Sequence, residues 1–132
     1  GFLGLTAAFG VVFSLWLTGR SGLRDMARQR TGESICQFAR YFDRKSVDPL
    51  IIRAVYERTG AWMGIPGFPV RAEDDFFQSL KFDGLDLEDL AGEVADLTRR
   101  PLADRERNPY FGKVQTPAGL VRFFMLQPLA VA

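Results

Sequence analysis

Histidine is absent from this 132-residue chain, and cysteine occurs once, at Cys36. Without histidine there is no zinc finger to assemble and no imidazole to serve as a general base. A single cysteine excludes an internal disulfide and suits a reducing compartment. The chain also lacks a phosphate-binding Walker loop, a nucleophile elbow and a paired-cysteine motif. "DGLDLEDL" (83–90) is acidic, but it puts leucines where a calcium loop needs oxygen ligands. Acid pairs such as Glu73 and Asp74 fit a solvated face, with no pocket signature around them. No catalytic residue, metal site or cofactor is expected, and the chain reads as a non-enzyme. Internal repeats and low-complexity tracts are missing too, and no segment after Leu17 reads as a strand.

Apolar residues are plentiful at 47%, enough for a core. Length points to one domain with an appendage. Residues 2–18, "FLGLTAAFGVVFSLWLT", carry no charge, and the first ionisable side chain is Arg20. As a helix this run would reach about 26 Å, close to the ~30 Å of a bilayer's hydrocarbon core. A secretory signal would carry its basic residues ahead of the apolar run, whereas here they follow it. Small residues at Gly4, Ala7, Ala8 and Gly10, with Trp16 at the basic end, fit a membrane helix. The blander alternative is a buried core helix.

The net charge of +1 hides an asymmetry. Between Arg20 and Lys45 there are seven basic residues and three acidic ones, whereas Glu73 to Asp96 holds nine acids and one lysine. Arg20, Arg24, Arg28 and Arg30 directly follow the apolar run, which points to anionic lipid head groups rather than nucleic acid. By the positive-inside rule they place the rest of the chain in the cytoplasm, behind a single-pass anchor in the inner (cytoplasmic) membrane.

Ile35, Phe38, Ala39 and Phe42 share one helical face, so a short amphipathic helix is expected there. Asp48-Pro49 is a helix start, an acid that can cap followed by a proline pre-set for the first turn. The helix to about residue 63 should bury Leu50 or Ile51, with Ala54, Val55 and Trp62. "GIPGFPVRAED" (64–74) reads as a loop anchored by Phe68 and Val70. "EDDFFQSL" should make a helical turn holding Phe76, Phe77 and Leu80. A helix is expected over about 84–98, with Leu87, Leu90, Val94 and Leu97 inward against Val55, Phe76, Val121 and Phe124. Residues 99–115 read as a loop tethered by Leu102, Tyr110 and Phe111. Thr116-Pro117 should open a last helix, which Pro128 ends. The division expected is a membrane helix (1–19), a basic juxtamembrane linker with the short amphipathic helix (20–47), a helical bundle (48–127) and a frayed tail (128–132), all-α throughout.

Over "DDFFQSLKFDGLDLEDLAGEVADL" (74–97) the sequence resembles the acyl carrier protein family. Phe76, Leu80, Asp83, Leu85 and Asp86 match that pattern in register, and "VQTPAGLVRFF" resembles its closing segment. The resemblance covers about 48–126 and implies an acyl-carrier-like four-helix bundle. It also implies a serine at position 84, where phosphopantetheine is attached. Gly84 stands there instead, without a nucleophilic oxygen. A structural explanation also fits, since Asp83 can cap the helix and Asp86 can complement its dipole.

The expected function is therefore non-catalytic. The acidic helix, through Asp83, Asp86, Glu88, Asp89 and Glu93, would dock a basic patch on a membrane protein or membrane-associated enzyme. Two alternatives are a small accessory subunit of a larger membrane complex and a true carrier with a different attachment residue.

Overall fold

A computed structural model describes residues 22–131. The predicted membrane span at 1–19, and Arg20 behind it, lie outside the described residues. Among the described residues all regular structure is helical, with no strand. None of these helices is long and apolar enough to cross a membrane. The chain divides into two compact units, Gly1–Thr31 and Gly32–Ala132.

In the first unit residues 22–29 are helical (α1). An exposed Arg28–Asp25 pair at 3.4 Å lies along it, and such a pair adds little stability.

The second unit holds α2 (Ile35–Arg40), α3 (Pro49–Trp62), α4 (Gly84–Thr98) and α5 (Pro117–Met125), with one 3-10 turn at Arg105–Arg107. Each of these four helices begins where a side chain can accept one of the free N–H groups of its first turn. Ser34 closes a capping box with Gln37 ahead of α2. Asp48 accepts from the Leu50 N–H, with Pro49 in the first turn of α3. Thr116 accepts from Gly119, with Pro117 opening α5. Satisfying these otherwise orphaned donors contributes about 1 kcal/mol at each start.

Helix α3 packs on α2, α4 and α5. It runs antiparallel to α4, because Asp48 at its start meets Arg100 beyond the end of α4, at 3.3 Å. Near the other end Arg58 meets Glu93 at 2.6 Å. The core gathers Ile51 and Val55 of α3, Leu90 and Val94 of α4, and Val121 and Phe124 of α5, all fully buried. Phe76 and Leu80, from the turn ahead of α4, complete it. That turn is wound on Asp75, whose carboxylate accepts from the N–H groups of Phe77 and Gln78. It is tied to the start of α5 by backbone bonds from Phe76 to Gln115 and from Ala118 to Ala72, at 2.8 and 2.9 Å. Phe68 and Val70 anchor the preceding loop as expected.

Three expectations about packing are corrected. Leu97 is 51% exposed, and the inward row of α4 ends on Ala95 and Thr98 instead. Thr98 can be buried because its hydroxyl donates to the Val94 carbonyl at 2.7 Å. The choice left open between Leu50 and Ile51 falls on Ile51, which is buried, as one of the two was expected to be, while Leu50 is exposed. Phe111 is also exposed and does not hold the 99–115 loop. Asn108 holds it, buried, donating to the Phe123 carbonyl and to Gln127 Oε1. Gln127, buried in turn, donates to the Pro101 carbonyl at 2.8 Å. The tail expected to fray is tied back by a 2.8 Å bond from the Ala130 N–H to the Arg99 carbonyl.

Candidate functional site

Gly84 is the first residue of α4, set between the two partners of a reciprocal cap. The Asp86 N–H donates to Asp83 Oδ1 at 2.8 Å, and the Asp83 N–H donates to Asp86 Oδ2 at 2.9 Å. Both carboxylates thus satisfy backbone donors at the positive end of the helix dipole. Gly84 itself is exposed and does not adopt a positive φ, and a Cβ built on it would meet nothing within 4 Å. Neither backbone conformation nor crowding requires glycine there.

The other predicted docking acids fall into two groups. Glu93 is turned onto α3: Arg58 donates to its Oε1 through Nε at 3.0 Å and Nη2 at 2.6 Å, and Trp62 Nε1 donates to Oε2 at 2.8 Å. Glu88 pairs with Arg105 of the 3-10 turn at 2.9 Å. Asp89 is exposed with no ion-pair partner among the described residues, and so is Asp96, one residue before the exposed Leu97.

Leu85, Asp89, Gly92 and Asp96 follow at i, i+4, i+7 and i+11 and so form one outward stripe of α4. Leu85 is 73% exposed. Gly92 lies mid-helix, and an added Cβ there would meet nothing within 4 Å. Glycine in a helix interior costs about 1 kcal/mol relative to alanine, and no neighbour in the fold calls for it.

Beside Gly84 opens a cavity of about 450 Å³, walled by Leu87, Ala91, Leu102, Leu120 and Phe123, with the Glu88–Arg105 pair also in its lining. Away from this cavity, Tyr56 and Arg71 have shifted titration. Burial, then the negative charge of Glu33, raises the Tyr56 phenol above its ordinary value. The hydrogen bond to Glu33 raises the Arg71 guanidinium. Among the described residues no three His, Cys, Asp or Glu side chains gather as a metal site would need.

Of the arginines expected at lipid head groups, Arg24 and Arg28 are exposed. Arg30 is buried, at 7% exposure.

Sequence reasoning missed the Arg58–Trp62–Glu93 cluster and the Asn108–Gln127 pair. The only local signals for either were an arginine and a tryptophan four apart on α3, and polar residues beside prolines at 109 and 128. No protein-family model matches the chain, and comparisons with curated proteins and with solved structures return no match.

Proposed function

We propose that this chain is a membrane-tethered interaction module, similar in helix order to an acyl carrier and lacking its covalent chemistry. The observation that carries the reading is Gly84, open to solvent at the head of α4, where the resembling family would have its attachment serine. With no side-chain oxygen, that position cannot accept a phosphopantetheine arm, and no cofactor is invoked.

What remains is a surface. The stripe through Leu85, Asp89, Gly92 and Asp96 offers an apolar contact, two unpaired carboxylates and a side-chain-free patch of backbone. The partner it suits is a membrane protein or membrane-associated enzyme with a basic patch, approached on the cytoplasmic side of the inner membrane. Charge complementarity of this kind speeds encounter and fixes register more than it adds affinity, and salt weakens it. Anchoring by residues 1–19 would raise the local concentration near such a partner.

The test is affinity capture from detergent-solubilised membranes with the parent chain and with an Asp89→Lys, Asp96→Lys variant. A partner held by the parent, released by salt and lost with the variant is the expected result. A partner retained equally by both would remove α4 as the docking element. A phosphopantetheine mass on the parent would overturn the non-catalytic reading.

A further inference from the structure

The molecule has a second charged face, formed by α2, the turn after it and α5. Tyr41 and Leu126 are 43% and 54% exposed there, and both line a shallow cavity of about 350 Å³. Phe42, Val121 and Met125 also line it. Arg122, exposed on α5, sits 5.8 Å from the centre of the Tyr41 ring, and its Nη2 donates to the Tyr41 hydroxyl at 3.4 Å. Arg44 and Lys45 are exposed on the turn between Asp43 and Ser46, two further lining residues, and Arg40 is exposed at the end of α2.

None of these four cations pairs with a carboxylate among the described residues. The nearby acids already have internal donors. Asp43 accepts from the Lys45 N–H and from the Ser46 hydroxyl, each at 3.1 Å. Glu73 accepts from the Tyr41 hydroxyl at 3.0 Å.

We infer that this face lies against an anionic phospholipid surface. Arg122 in the lining, with Arg40, Arg44 and Lys45 exposed beside it in the chain, outnumbers Asp43 and Glu73, and such an excess attracts a negative surface over a Debye length. The exposed tyrosine and leucine decide between anionic partners. A ring with a polar tip sits well at head-group level, and an aliphatic side chain gains by entering the acyl boundary, whereas Leu126 offers nothing to a phosphodiester backbone. The inference rests on the residues of the second unit alone and does not require the docking role of α4 or the anchor.

The test uses the full chain carrying Cys36→Ser and Leu126→Cys, so that one neutral fluorophore reports from within the face. On phosphatidylcholine vesicles containing phosphatidylserine, the label should be shielded from acrylamide. On vesicles of phosphatidylcholine alone it should stay accessible. Adding Arg44→Gln and Lys45→Gln should lower the equilibrium constant for shielding at fixed phosphatidylserine content about 10–30-fold, at roughly fivefold per charge. A label equally accessible on both vesicle types overturns the inference, even if the chain floats with both. Flotation with both and shielding on neither would mean that the anchor stands and this face does not touch lipid. Shielding unaffected by the charge substitutions would also overturn it, as it would show burial without electrostatic selection.

Discussion

Glycine at position 92, inside α4, is costly to the helix, and neither there nor at Gly84 does a neighbour or a backbone angle demand it. Substitution should therefore be benign for folding. Gly92→Ala is expected to raise stability by about 1 kcal/mol, read as a higher urea midpoint. If the stripe docks a partner closely, the same change should weaken capture, separating the two effects in one variant. Gly84→Ser should fold as well as the parent, since its side chain meets no obstruction. Co-expression with a phosphopantetheinyl transferase should leave the intact mass of the parent unchanged. A mass gain on Gly84→Ser alone would support the resemblance in register.

Among the elements, helix starts were the most legible from sequence, because a start is chemically local. Asp48-Pro49, Asp83 and Thr116-Pro117 each announce a cap within a few residues, and each was found capping. The inward face of α4 was less legible. A 3-4-3 row of three leucines and a valine fits two adjacent faces of a helix, and the buried Thr98 satisfies its hydroxyl within the helix. The end of α4 was hidden for a related reason. Arg99 closes it in the left-handed region at φ 57° and ψ 34°, where glycine is the usual residue. Arg99→Gly should relieve a strain of about 1–2 kcal/mol. Glycine's greater freedom in the unfolded chain offsets part of that, so a small rise in melting temperature is the expected outcome. A lower melting temperature would mean that the arginine side chain contributes more than the backbone loses.

At the scale of the whole molecule, the α4 acids show why the candidate site was only half visible. Their presence is a matter of composition, but their availability depends on partners distant in sequence. Arg58 reaches Glu93 from 35 residues away, with Trp62 beside it. Glu88 is met by Arg105 across the loop. What the sequence offered as five docking acids is, in the fold, two that cap, two that are paired and Asp89, with Asp96 an exposed acid not among them. The apolar core follows simpler rules. Leu90→Ala should cost about 2–5 kcal/mol, and Glu88→Ala far less, because its partner is a partly exposed arginine. Equal, small losses from both in urea melts would contradict the packing of α4.

The loop from 99 to 115 depends on a different kind of interaction. Its anchor is polar and buried: the Asn108 amide donates to the Phe123 carbonyl and Gln127 Oε1, while its Oδ1 accepts from the Tyr110 N–H. Gln127 passes the network on to the Pro101 carbonyl, and the Gln127 carbonyl accepts from Arg100 Nη1 at 2.8 Å. A buried donor or acceptor left without a partner costs about 1–3 kcal/mol. Asn108→Ala strands several such groups, so a loss on the order of 3 kcal/mol is expected, comparable to a core truncation. Gln127→Ala should cost a similar amount for the same reason. The two residues share a hydrogen bond, and removing the second finds part of the network already broken. The double variant should therefore lose less than the sum of the two single losses. Urea midpoints for the four chains test this directly. Strict additivity would mean that the two side chains act independently, with the loop held elsewhere than at this pair.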